Sequence, residues 1–120
     1  VRKLMGKPPI DSLTGFKHKF DQINKLKEKK QFLTYYFIAA HPGCSEDDMA
    51  KAREFASQEL NVLPEQVQIF TPTPSTYSSL MYYTEMNPFT REPIYVEKNL
   101  QRKNRQKEIL IPLPEKPKKR

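Results

Sequence analysis

Apolar residues recur at spacings of three and four early in the chain. Leu13, Phe16, Phe20, Ile23 and Leu26 fall on one face of a helix, with lysines on the other. Asp11 or Ser12 is placed to cap it. The preceding "LMGKPPI" (Leu4 to Ile10) is turn-rich, because Gly6 and the Pro8–Pro9 pair oppose regular structure. The pattern then changes. "FLTYYFIA" (Phe32 to Ala39) is apolar almost throughout, rich in aromatic and β-branched residues, and reads as a strand covered on both faces, as in parallel sheets. Pro42-Gly43 stops it, and helical spacing returns with Met49, Ala52, Phe55, Ala56 and Leu60. Ser45 is the expected cap, with Asp48 at the capping-box position and Glu46, Asp47 and Asp48 where the helix dipole favours negative charge.

A second, shorter strand follows in "EQVQIFTPTP" (Glu65 to Pro74), where Val67 and Ile69 alternate with Gln66, Gln68 and Phe70. "PSTYSSLMYY" then reads as a short helix capped by Ser75, with Tyr77, Leu80, Met81 and Tyr83 as apolar contacts. From Asn87 onward, Pro88, Pro93 and mixed polarity predict a loop. "NLQRKNRQKEIL" can form a basic helix, and "IPLPEKPKKR" has the Pro/Lys-rich composition of a disordered segment. The order helix, strand, helix, strand, helix predicts an α/β chain built on a parallel βαβ unit, with an N-terminal amphipathic helix and a disordered basic tail. Two strands make a poor sheet with two exposed edges, so partner strands are expected outside this chain.

Charge sharpens that division. Residues 1–30 carry nine Lys/Arg against three Asp/Glu, residues 31–96 three against eight, and residues 97–120 nine against three. Basic ends thus flank a mildly acidic, apolar middle. The 37% hydrophobic content and 11 prolines argue against one compact core for the whole length. Two units are expected: residues 1–96, and a basic Pro/Lys-rich tail over 97–120, partly helical or disordered. Val1 in place of a start methionine points to an excerpt of a longer protein. No signal-peptide pattern or spanning apolar run is seen, so a cytoplasmic protein without a membrane partner is expected.

His41 and Cys44 invite a chemical reading. Cys44 is the only cysteine and His18 the only other histidine, on the helix before the strand, so a zinc site lacks ligands. A Cys–His nucleophile pair would have no third residue to orient the base. Position is the better signal, since His41 follows the carboxyl end of a parallel strand, where α/β proteins bind ligands. Thr71 and Thr73 follow the second strand and should share that edge, with His41 turned inward. Gln66 and Gln68 share one strand face, either toward solvent or toward a ligand inside a barrel. The tyrosines Tyr35, Tyr36, Tyr82 and Tyr83 fit packing better than base stacking. No glycine-rich phosphate loop, zinc-finger spacing or aromatic RNA motif is present.

The stretches "YYFIAAHPGCSEDDMAKAREFA" and "PEQVQIFTPTPSTYSSLMYYTEMNPFT", with "LMGKP" and "IYV", resemble the later part of the catalytic barrel in radical S-adenosylmethionine enzymes. The branch resembled is the YgiQ-like one, over about residues 3–96. The resemblance implies the carboxy-terminal portion of a partial (β/α) barrel, in a parent that binds S-adenosylmethionine and a [4Fe-4S] cluster to generate a carbon radical. It implies Ile38, Ala39 and His41 as neighbours of the cofactor, with Gln68 and Phe70 lining the barrel interior.

The family's CxxxCxxC triplet, which holds the cluster, is missing here, and Cys44 matches no ligand position. A full barrel of this kind needs roughly 200 residues or more. The implied chain is inactive alone, holds neither cofactor nor metal by itself, and has the rest of the barrel and an unknown substrate as partners. The alternative is a small basic adaptor that binds nucleic acid through residues 97–120, with steep salt dependence.

Overall fold

The computed structural model describes residues 1–9 and 11–111. The chain orders as α1 (Asp11–Leu26), β1 (Tyr36–Ala39), α2 (Glu46–Gln58), β2 (Gln66–Ile69), α3 (Tyr77–Thr84) and α4 (Leu100–Leu110). It is a mixed α/β structure. β1 and β2 pair in parallel, with Tyr36 opposite Gln66, Ile38 opposite Gln68 and Ala39 opposite Ile69. α2 runs between them, so the βαβ unit is present.

The register sorts side chains by face, because successive residues of a strand point to opposite sides. Ala39 and Val67 are buried with Cys44, Met49 and Leu110, flanked by Phe37, Ala52, Ile109 and Ile111. The other face carries Tyr36, Ile38, Gln66 and Gln68, all exposed. The strand expected to be covered on both faces is therefore covered on one, by α2 and α4. β1 is also shorter than its apolar run. Phe32 is 86% exposed, because β2 begins only at Gln66 and offers no ladder further back.

α2 begins as its sequence predicts. The Ser45 hydroxyl accepts from the Asp48 N–H at 3.3 Å, and the Asp48 carboxylate accepts from the Ser45 N–H at 2.9 Å. α1 also forms where expected, with a Lys17–Asp21 pair at 2.9 Å and Phe16 against Phe20, but none of its residues is buried. α3 differs more. Thr76 caps it, since Ser75 sits in the left-handed region at φ 63. Of its expected contacts Met81 alone is buried, while Tyr77, Leu80 and Tyr83 are exposed. The turn leading into it is held instead by buried Ser79, whose hydroxyl accepts from the Thr73 N–H at 2.8 Å.

The basic helix expected from "NLQRKNRQKEIL" forms as α4, but it packs into the core where a tail is expected. Asn99 caps α4 by accepting from the Arg102 N–H at 3.1 Å, and the helix lays Gln106 and Leu110 into the core against α2 and the sheet. Its basic residues occupy the outer side, so a lysine-rich composition concealed a packing stripe. Buried Glu97 precedes it, accepting from the Tyr95 hydroxyl and from the Asn99 N–H at 2.9 Å. The tail sequence from Pro112 onward lies outside the described residues. No described helix is long and apolar enough to cross a membrane.

Candidate functional site at the carboxyl ends of the strands

Parallel pairing brings the ends of β1 and β2 to one edge. The Phe70 N–H donates to the Ala39 carbonyl at 2.8 Å, extending the ladder one step beyond the strands. His41 and Thr71 thus leave the sheet at the same edge, as the topology requires. Beyond Ala39 the chain turns sharply. Ala40 takes φ 57, a left-handed conformation that few non-glycine residues adopt. Gly43 follows at φ 84, its N–H donating to the Tyr95 carbonyl at 2.7 Å, and a Cβ there would run into the Leu4 side chain. The positive φ accounts for the glycine, and the Leu4 methyl adds a contact that its flexible side chain can relieve.

His41 is 2% exposed. Its Nδ1 lies 2.8 Å from the Pro42 carbonyl, which can only accept, so Nδ1 carries the proton. Nε2 is then an acceptor, and the Ser78 hydroxyl donates to it at 2.7 Å. The Phe70 ring packs edge-on at 5.1 Å. Burial holds the imidazole below its ordinary pKa, with the Pro42 hydrogen bond acting in the opposite direction. The ring is neutral with both nitrogens engaged. A ligand at this rim would meet Ser78 or the backbone before it met His41.

Cys44 is fully buried, and burial, reinforced by the negative charge of Asp48, pushes its thiol up to about 12. A buried thiol held in its protonated form is a poor nucleophile at neutral pH. Among the described residues no three His, Cys, Asp or Glu side chains gather as a metal site.

The remaining predicted residues divide between the two sheet faces. Ile38 and Gln68 are neighbours in register on the open face, where the Gln68 amide is exposed. Ala39 points the other way, into the core. Phe70 lies at the edge between His41 and Tyr82, 5.9 Å from the latter. Lys103 donates to the Tyr82 hydroxyl at 3.0 Å and lies over its ring. Beside the edge, an open cavity of about 720 Å³ is lined by Pro72, Thr73, Tyr77, Leu80 and Tyr83.

Two residues central to this geometry, Ser78 and Gln106, carried no sequence signal. Gln106 is 1% exposed; its Oε1 accepts from the Ala40 N–H at 2.9 Å and its Nε2 donates to the Cys44 carbonyl at 3.1 Å. A buried glutamine among the arginines and lysines of α4 could be noticed only once Leu110, four residues on, was known to face inward.

Comparison with known proteins places this arrangement in context. A family model described as "Domain of unknown function (DUF3362)" matches residues 65–111, the stretch holding β2, α3 and α4. The chain is 60% identical over 107 residues to a UPF0313 protein of Fusobacterium nucleatum, covering 89% of the chain and 19% of that protein. It is 40% identical over 111 residues to a UPF0313 protein of Thermotoga maritima, covering 92% of the chain and 20% of that protein. A UPF0313 protein of Clostridium perfringens is 40% identical over 110 residues. No solved structure matches. The chain is thus similar along nearly all its length to UPF0313 proteins, and spans about a fifth of the length of these relatives.

Proposed function

We propose that this chain is the carboxy-terminal part of the barrel of a radical S-adenosylmethionine enzyme, its β1 and β2 being late barrel strands and their shared edge part of the cofactor rim. One observation carries this reading. The parallel sheet is sealed by helices on one face and left open on the other, and the open face presents Tyr36, Ile38, Gln66 and Gln68. That is the distribution a barrel wall needs, with helices outside and mixed apolar and amide side chains toward the lumen. The length comparison supports it, since the relatives have four-fifths of their chain outside the matched region. So does the resemblance of "FIAAHPG" and "QVQIFTPTP" to late strands of that family.

The two cofactors fit differently. The cluster has no ligand set here, because the chain carries a single cysteine, packed in the core and outside any CxxxCxxC spacing. It would be held by residues of the parent outside this chain. S-adenosylmethionine fits the rim, where the Gln68 amide can donate and accept hydrogen bonds and Ile38 supplies apolar contact beside it. When bound in the parent, the cluster would supply one-electron chemistry; the residues of this chain would bind and orient S-adenosylmethionine and exclude water. Ser78 and the strand-end backbone are the polar groups nearest that role, and His41 fixes Ser78.

The test is binding. The complete protein containing this chain, loaded anaerobically with iron and sulfide, should bind S-adenosylmethionine in a calorimetric titration. Gln68→Leu should weaken it by about tenfold, the cost of leaving one hydrogen-bonding partner unpaired. Equal affinity in wild type and Gln68→Leu removes the open face from the cofactor site.

A further inference from the structure

Four hydrogen bonds reach the turn Ala40–Cys44 from distant parts of the chain. Ser78 donates to His41, the Tyr95 carbonyl accepts from Gly43, and Gln106 bridges the Ala40 N–H and the Cys44 carbonyl. All three partner residues lie within residues 65–111, the segment that matches the family of unknown function. The turn itself is sealed, with Ala40 1%, His41 2% and Cys44 0% exposed. A residue held in the left-handed region persists only where its surroundings over-determine it. At Ala40 the surroundings are Gln106, which binds the backbone on both sides of the turn.

We propose that Gln106 is a positioning residue for the ligand rim. Reaching in from α4, it holds the Ala40–Cys44 turn so that the edge of β1 and β2 stands ready to receive the ligand. This role rests on the preceding reading, in which the ligand is S-adenosylmethionine. The segment 65–111 then supplies one wall strand, β2, together with the clasp that shapes the rim beside it. A purely structural glutamine would satisfy two buried backbone groups and leave affinity for the ligand unchanged.

Two variants separate these outcomes in the complete, cluster-loaded protein. Gln106→Leu keeps a side chain of similar length and loses both bonds. Amide exchange at Ala40 should quicken while that of α2 changes little, and S-adenosylmethionine should bind about tenfold more weakly. Gln106→Glu is a titratable replacement. A protonated carboxyl can donate to the Cys44 carbonyl and accept from the Ala40 N–H, as the amide does. Its carboxylate would oppose that carbonyl, and burial favours the protonated form. The variant should match wild type at mildly acidic pH and fall toward Gln106→Leu as pH rises. His41, Cys44, Asp48, Arg102 and the Glu46–Arg105 pair also lie around this junction, but wild type contains them too. The ratio of variant to wild-type affinity at each pH therefore isolates position 106.

Wild-type affinity in Gln106→Leu despite faster exchange at Ala40 overturns the positioning role. Should that variant fail to fold, wild-type affinity in Gln106→Glu at a pH where exchange at Ala40 is quickened overturns it equally. A wild-type protein that does not bind S-adenosylmethionine defeats the barrel reading itself, and this role falls with it.

Discussion

Replacing Leu110 by alanine tests whether α4 belongs to the core. Leu110 is fully buried beside Ala39, Cys44, Met49 and Val67, whereas Leu100, at the start of the same helix, is 68% exposed. The two leucines share a helix and a residue type, and differ in burial. Truncating a buried leucine costs the transfer of the lost methyls and the cavity left behind, together about 2–5 kcal/mol. Truncating an exposed one on a helix changes stability by about 0.5 kcal/mol or less.

The total stability of a small domain is about 5–15 kcal/mol, so Leu110→Ala should remove a large share of it. The chain lacks tryptophan, so far-ultraviolet circular dichroism in urea is the suitable assay. With a denaturant slope of about 1–3 kcal/mol/M, the midpoint should fall by roughly 1 M or more for Leu110→Ala and hardly move for Leu100→Ala. Equal, small shifts for both would mean that α4 is an appendage, and the packing of Gln106 would lose its support.

Three further outcomes follow from the strand-end turn. Gly43→Ala places a Cβ against Leu4 at φ 84 and should destabilise the chain by about 1–2 kcal/mol or more, measured as a urea midpoint; Leu4→Ala in the same chain should recover the steric part alone. Cys44, its thiol pushed up to about 12 and fully buried, should resist alkylation by iodoacetamide in native protein and react promptly in urea. His41 has a folded pKa below its unfolded one, so its neutral form stabilises the fold. That contribution is full above an unfolded pKa of about 6.5 and is lost as pH falls through the folded value. Urea midpoints should drop on mild acidification in wild type, and less so in His41→Gln.

Sequence and structure agree best where the deciding interactions are local. The Ser45–Asp48 capping box and the helix that follows it are decided within a few residues and appear where the sequence puts them, while Asp11 and Ser12, expected to cap α1, form its first turn. The parallel pairing of two short apolar runs around α2 joins residues thirty positions apart and is legible instead from the strand–helix–strand order. The differences concern what covers what. α1 and α3 show apolar residues at helical spacing, yet Phe16, Ile23, Leu80 and Tyr83 stay exposed, because spacing announces a face and not its partner. α4 is legible as a basic helix but not as a core element, because its charge outweighs the stripe formed by Gln106 and Leu110. Of the site, the shared edge follows from the parallel order and the Gln66–Gln68 face from strand alternation, whereas Ile38 comes from the family resemblance and its open face is not expected. Ser78 and Gln106 are not legible, since each acts on a turn 37 to 66 residues away.

The claim that this chain forms part of a radical S-adenosylmethionine barrel is tested most directly by cofactor cleavage. The complete protein containing it should be loaded with iron and sulfide under anaerobic conditions, reduced with dithionite and supplied with S-adenosylmethionine. Chromatography should then show methionine and 5′-deoxyadenosine accumulating together, and neither when iron and sulfide are omitted. A protein that takes up no iron–sulfur cluster, or that takes one up and leaves S-adenosylmethionine intact, would contradict the account.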